Sequence, residues 1–329
     1  MKKLFLFPLL LLTLCLNSCV FIYSNFDFFS ERQPVEEAKL SGEGSDRILM
    51  IDISGEINNA ETASFLGVNR EGMVTSLREQ LEAARDNKHI KAVLLRINSP
   101  GGGVTASDLI YEELKSFHEE TKIPIYSAMM DLAASGGYYI AMASQKIYAH
   151  PTTVTGSIGV IMFNVSIEGL MKKIGVKSKV IKSGNNKDMG SPFKDLTPEE
   201  QKLLQDIIDN LYGRFVDVVA SGRPKLGREK ILTLADGRVY TADQAKAEGL
   251  VDEIAYLPQV IEHIKSDLKL TKATVMVYKN PDRYMSNIYS NFNAPLPKGL
   301  SLVSPELEKT VTQGIRVSGF YYLWEPGSN

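Results

Sequence analysis

The chain has 329 residues and a formal net charge of −2, so it offers no basic field to hold nucleic acid. With 44% hydrophobic and 23% charged residues it has globular usage, and it is long enough for one large α/β domain or two small ones. Its two cysteines, Cys15 and Cys19, both lie near the N-terminus. The rest of the chain therefore has no disulfide, zinc–thiolate site or cysteine nucleophile.

The N-terminus reads as a membrane-directing segment, residues 1–23. Lys2 and Lys3 precede an apolar run from Leu4 to Leu16, the layout of an export signal. Leu16-Asn17-Ser18-Cys19 is similar to a lipoprotein box, with Cys19 as the lipidation site. The alternative is an uncleaved helix over Leu4–Tyr23, about the length that spans a bilayer. Either anchor places the following residues outside the cytoplasm, because the positive charge lies on the N-terminal side. Residues 24–46, with Glu36, Glu37, Gly42 and Gly44 and no sustained period, read as a tether.

From Arg47 the pattern alternates. Ile48–Ile53 reads as a buried strand, and Met73, Val74, Leu77, Leu81 and Ala84 recur at helical spacing. Ala92–Ile97 is a second strand, followed by a helix capped by Ser107. Pro124–Met129 is a third strand, Ser135–Ala143 a short helix and Lys146–Ala149 a short strand. Val180-Ile181 reads as the end of another apolar strand, after which Lys182 and Lys187 follow. Thr197-Pro198-Glu199-Glu200 is a capping box with proline at the first helical position, opening a long helix through Val219. Thr241 caps a further helix that stops at Gly249. Alternation of this kind predicts an α/β domain with a mainly parallel sheet. We place one catalytic domain at 47–270 and a C-terminal extension at 271–329.

Two glycine-rich turns are candidates for chemistry. Asn98-Ser99-Pro100-Gly101-Gly102-Gly103 joins a strand to a helix, where backbone amides can face an oxyanion or anion without obstruction by a Cβ. It equally suits a tight turn that lets strand and helix pack. Ala133-Ala134-Ser135-Gly136-Gly137-Tyr138 places one serine at a helix start. That serine is a possible nucleophile or a plain N-cap. Its base is not evident among His89, His118, His150 and His263, whose surroundings do not suggest a catalytic triad. Lysine is the other choice, if burial lowers its ordinary pKa of ~10.4 by several units. Lys182 and Lys187 lie in one loop, where a solvated role is the bland reading of each.

Taken together, these segments resemble the signal peptide peptidase (protease IV) family in its short, single-copy form. The resemblance runs through Arg96–Gly102, Ala134–Tyr139, Thr155–Val160, Ser183–Pro192 and Ala235–Asp252, and covers Arg47 to about Leu257. It implies a crotonase-like, caseinolytic-protease-like spiral α/β fold. It further implies Ser135 as nucleophile, Lys187 as general base, Gly101 and Gly102 in the oxyanion hole and Ser157 as the hydroxyl that orients the lysine. Substrates would be cleaved signal peptides and similar extended peptides, with no metal or organic cofactor. The resemblance also implies a membrane-bound, ring-shaped homo-oligomer whose sites take serine and lysine from neighbouring subunits. Two rivals remain open at this point. An acyl-coenzyme A enzyme of the same fold would bind that thioester, and a non-catalytic membrane scaffold would not be acylated at Ser135.

Overall fold

Long runs of buried aliphatic residues form the central strands, because a parallel sheet covered on both faces needs apolar side chains on both. The computed structural model describes residues 35–59, 62–63, 69–70, 72–279, 287–290 and 319–324. In chain order the first elements are β1 (Glu36–Gly42), β2 (Arg47–Ser54), a small hairpin of β3 (Thr62–Ala63) and β4 (Asn69–Arg70), α1 (Met73–Arg85), β5 (Ile90–Ser99), β6 (Gly101–Gly103) and α2 (Val104–Thr121). Then come β7 (Ile125–Ala134), α3 (Gly136–Ala141), β8 (Lys146–Ala149), β9 (Val154–Gly156), β10 (Ile161–Met162), α4 (Glu168–Lys173) and α5 (Pro198–Gly222). The rest are α6 (Arg228–Leu234), β11 (Val239–Thr241), α7 (Ala242–Ala247), β12 (Glu253–Ile254), α8 (Leu257–Asp267), β13 (Thr274–Lys279) and β14 (Phe320–Leu323).

The main sheet runs β1-β13-β2-β5-β7-β8-β12, parallel from β13 to β12. Strand β7 changes partner along its length. Tyr126–Met129 pair with β8, whereas Leu132–Ala134 pair with β9, which continues antiparallel to β11. This turns the sheet away just before Ser135. Side chains alternate between two cores. Leu49, Ile51, Val93 and Leu95 meet α1, α2 and α5, while Ile48, Met50, Ala92 and Leu94 meet α8.

Several boundaries differ from the sequence reading. The tether assigned to 24–46 contains β1, an edge strand antiparallel to β13. Its sequence, EEAKLSG, buries only Leu40, so no alternating pattern gives it away. The main sheet does not stop at 270, since β13 lies inside it beside β2. Part of the C-terminal extension returns as β14, antiparallel between β10 and β6 in a second, three-stranded sheet. Ser107 is not a cap: its helix starts three residues earlier, and its Oγ donates to the Gly103 carbonyl. Val180–Lys182 is irregular, with Ile181 94% exposed. The capping box at Thr197 and the cap at Thr241 form as expected. Cys19 and the anchor lie outside the described residues; no helix of the described residues is long and apolar enough to cross a membrane.

One buried charged residue interrupts the β5 run. Arg96 is buried, donates to Asp52 Oδ1 at 2.7 Å, and reaches the carbonyls of Ile288 (2.6 Å) and Ser290 (2.8 Å). It thereby ties the segment 287–290 to the sheet. Burial raises the Asp52 carboxyl above its ordinary range, with Arg96 pulling the other way. Removing one member of such a pair strands a buried charge. Arg96→Ala should cost about 3–5 kcal/mol in denaturant unfolding, and adding Asp52→Ala should recover most of that loss.

Candidate active site

The glycine turn after β5 is held from three sides. Ser99 Oγ donates to the Gly55 carbonyl (2.6 Å) and accepts from the Gly101 amide (3.1 Å). The Ile57 amide donates to the Gly101 carbonyl, and the Gly103 amide to the Ile57 carbonyl, both at 2.8 Å. Two of the three glycine amides are thus engaged inside the turn. This corrects the assignment of Gly101 as an oxyanion donor: the Ser99 hydroxyl already takes its N–H. Gly101 serves through its shape, with φ at 97°, a conformation that glycine adopts freely.

Gly102 keeps its amide for the cleft. Strands β6 and β14 pair Gly101 with Leu323, Gly102 with Tyr322 and Gly103 with Tyr321, and the Trp324 amide donates to the Pro100 carbonyl at 2.8 Å. In an antiparallel ladder this register makes Gly102 and Tyr322 a hydrogen-bonded pair. The Gly102 amide therefore donates to the Tyr322 carbonyl. That carbonyl oxygen lies so close that a Cβ on Gly101 would sit 2.0 Å from it and 2.6 Å from the Gly136 nitrogen. Sequence reasoning missed Gly136, the residue after the serine, whose backbone faces the same spot.

Ser135 sits at the sharp turn from β7 into α3 with φ 52° and ψ −113°. A non-glycine residue with positive φ persists only where its surroundings hold it. Here the Ser135 amide donates to the Gly156 carbonyl and its carbonyl accepts from the Tyr139 amide, both at 2.8 Å. The residue is 1% exposed. Its Oγ makes no capping bond and has no hydrogen-bond partner among the described residues. A plain N-cap serine would accept from the helix's first turn, so that bland reading fails. Among the described residues this leaves a buried, unbonded hydroxyl on a strained strand-to-helix turn.

Ser157 follows β9, buried and also at positive φ (50°), with its amide on the Arg238 carbonyl at 2.8 Å. It borders a cavity of about 300 Å³ with Ile158, Tyr212, Asp236 and Leu323. Lys187 is elsewhere. It lies exposed in the loop between α4 and α5, and its ammonium has no partner among the described residues. Among the described residues the single chain therefore forms no hydrogen bond between Ser135 and Lys187. Lys182, the other candidate lysine, is committed: it donates to Asp188 Oδ1 (2.7 Å) and to the Asn185 carbonyl (2.6 Å).

Asp188 organises that loop. It accepts from Lys182 and from Lys194 (2.9 Å), and Lys194 also binds Glu200 in the first turn of α5. The two ammonium groups hold the Asp188 carboxyl down at about 2. A carboxyl depressed in the folded chain stabilises it above the unfolded value near ~3.9 and loses that effect as pH falls through the folded value. Cleavage by pepsin within 182–194 should therefore rise as pH falls from about 4 to 2. In Asp188→Asn it should already be high at the upper end of that range.

The family model of Peptidase family S49 matches residues 118–271, and that of Clp protease matches residues 45–155. A putative signal peptide peptidase SppA of Enterococcus faecium is 39% identical over 256 residues, 77% of this chain and 73% of that protein. The chain belongs to the S49 peptidase family. Other S49 relatives are longer. The chloroplastic serine protease SPPA of Arabidopsis thaliana is 32% identical over 83% of this chain but 40% of its own length. Protease 4 of Salmonella typhi is 33% identical over 73% of this chain and 39% of its own. Among solved structures, a ClpP1 mutant from Listeria monocytogenes is similar at TM-score 0.42 and 19% identity, over 64% of this chain and 92% of that one. The S49 model spans the turn at Ser135, Ser157 and the loop of Lys187. The Gly101–Gly103 turn falls in the stretch matched by the Clp protease model.

Proposed function

We propose that the chain is a membrane-anchored serine endopeptidase of the crotonase-like spiral fold, with Ser135 as nucleophile and Lys187 of the partner subunit as general base. The observation that carries this reading is the state of Ser135. A buried hydroxyl with no partner among the described residues is held on a strained turn beside an amide directed at a carbonyl oxygen. Membership of a peptidase family supports it independently.

In this mechanism a neutral lysine takes the proton of Ser135 Oγ, which attacks a peptide carbonyl carbon. The Gly102 amide, with the Gly136 amide beside it, donates to the oxyanion, each worth about 3 kcal/mol of transition-state stabilisation. The lysine then returns its proton to the leaving amine, and water activated by the same lysine releases the acyl group. An extended peptide would pair with β6 in the place that β14 takes in this structure, in the manner of strand addition.

Sharing the site between subunits is supported by what the single chain leaves undone. Lys187 is exposed, whereas a lysine accepts a proton near neutrality only when buried away from water. The segment around it exposes Leu170, Ile174, Val176, Val180, Ile181 and Phe193, an apolar surface of the kind that a partner covers. A second copy of this chain is the occupant we assign. The cavity at Ser157 would receive the incoming ammonium, with the Ser157 hydroxyl orienting it. Remnant signal peptides are the proposed substrates, following the resemblance and the name of the Enterococcus relative. A lipid on Cys19 would hold the site on the extracytoplasmic side of the membrane. Intact mass of the membrane-extracted chain tests the anchor: retention of residues 1–18 would favour the uncleaved helix.

An acylating inhibitor of serine hydrolases tests the site itself. The expected result is one adduct per chain, on Ser135. Labelling elsewhere, or none in a chain that hydrolyses peptides, would overturn the assignment. Acyl-coenzyme A binding without peptide hydrolysis would instead favour the rival thioester enzyme.

A further inference from the structure

The helix that follows the nucleophile depends on its neighbours for its position. Helix α3 spans only Gly136–Ala141, too short to stand as a helix by itself in water. Its start is packed without slack. A Cβ on Gly136 would lie 2.5 Å from Ser107 Oγ and 3.1 Å from Gly101 Cα, and one on Gly137 would lie 3.0 Å from the Ser99 carbonyl oxygen. A shift or rotation of α3 therefore moves Ser135 and the Gly136 amide relative to the glycine turn.

Two consecutive tyrosines pin α3 on different sides. Tyr138 is fully buried and donates its phenol proton to the Leu250 carbonyl at 2.8 Å. Tyr139, also fully buried, packs edge-on against Tyr111 of α2 (centroids 5.5 Å apart) and Phe215 of α5 (5.0 Å). Its phenol donates to Asp108 Oδ1 on α2. The same oxygen accepts from Arg214 of α5, at 2.9 Å from Nη2 and 3.2 Å from Nε, and Arg214 Nη2 also reaches Glu112 Oε1 at 3.1 Å. Burial, with the Asp108 carboxylate beside it, holds the Tyr139 phenol above its ordinary pKa, so it remains a donor. One carboxylate thus joins three helices: the one after the glycine turn, the one after Ser135 and the one after the Lys187 loop.

We propose that Asp108 is a positioning residue of the proteolytic site. It fixes the Tyr139 phenol, and through α3 the Ser135 turn and the Gly136 amide, while Arg214 fixes the carboxylate. The inference rests on Ser135 as the proposed nucleophile. Asp108 and Arg214 are 35% and 49% exposed, and ion pairs at such exposure add little stability. The bond from the phenol to the carboxylate is charge-assisted and directional. Its loss should therefore appear in the acylation step, with little change in peptide binding or in the stability of the fold.

The test uses the full chain extracted from membranes. It measures kcat and KM on an external peptide, the rate at which an acylating inhibitor labels Ser135, and the thermal midpoint. Asp108→Ala should lower kcat and the labelling rate together by ~10–100-fold, the scale of a small misplacement of reacting groups, with KM within a few-fold of wild type. Tyr139→Phe, which keeps the ring and removes the hydroxyl, should show the same loss. The double variant should be no slower than either single one, because both remove one bond. Asp108→Asn still offers the phenol an oxygen and should recover most of the rate. Normal kcat and labelling in Asp108→Ala and Tyr139→Phe, or losses that multiply in the double variant, overturn the positioning role and leave the Ser135 reading standing. So does a rate that returns once the assay is run well below a lowered thermal midpoint, the mark of a merely structural residue. A wild type that hydrolyses the peptide without labelling at Ser135 overturns both.

Discussion

Ser135→Ala should abolish peptide hydrolysis, lowering kcat by about 10⁴–10⁶, the scale seen when a serine nucleophile is removed from a site whose oxyanion donors remain. The fold should survive. Ser135 Oγ makes no hydrogen bond among the described residues, so its loss breaks no native contact. The strained turn is held by backbone bonds to Gly156 and Tyr139 that alanine also makes. Alanine removes only a hydroxyl, so the thermal midpoint should stay within a few degrees or rise slightly, as strain at φ 52° is common to both residues. Activity retained at a tenth of wild type or more would remove Ser135 from the chemistry.

Lys187→Ala is the second large effect. Loss of a general base costs about 10²–10⁴ in rate, and more where it acts as one unit with the nucleophile. Folding should again be untouched, because Lys187 is exposed and its ammonium touches nothing described in its own subunit. The contrasting variant is Lys182→Ala. Lys182 is bonded to Asp188 and the Asn185 carbonyl, so its removal should loosen the loop and lower activity by a smaller factor, with pepsin cleavage of the loop rising in step. If Lys182→Ala proves as severe as Ser135→Ala while Lys187→Ala is nearly normal, the two lysines exchange roles.

The parallel strands were legible because β2 and β5 are buried on both faces and therefore read as mostly apolar runs. Capping chemistry at Thr197 was legible because all its partners lie within four residues. What was not legible depends on partners far along the chain. Strand β1 is polar because it is an edge, and its partner β13 lies more than 200 residues away. The run at Val180–Ile181 is apolar as a strand is, yet it pairs with no strand among the described residues. The roles of the three glycines could not be separated by composition either. It takes the Ser99 hydroxyl and the Ile57 carbonyl to engage Gly101 and Gly103 and leave Gly102 facing the cleft. Ser135 stood out by its small neighbours, but its missing cap bond and positive φ, which separate a primed hydroxyl from a helix cap, are visible only in three dimensions.

The claim on which the rest depends is that the serine and the lysine of each site belong to different subunits. Ser135→Ala and Lys187→Ala chains, each inactive alone, are mixed under conditions that exchange subunits, with co-assembly confirmed by differently tagged chains. A mixed interface pairs an intact Ser135 with Lys187 of the partner subunit, so hydrolysis should return to a sizeable fraction of wild type and scale with the proportion of mixed assemblies. Demonstrated co-assembly with no recovered activity would place both groups in one chain and contradict the shared site.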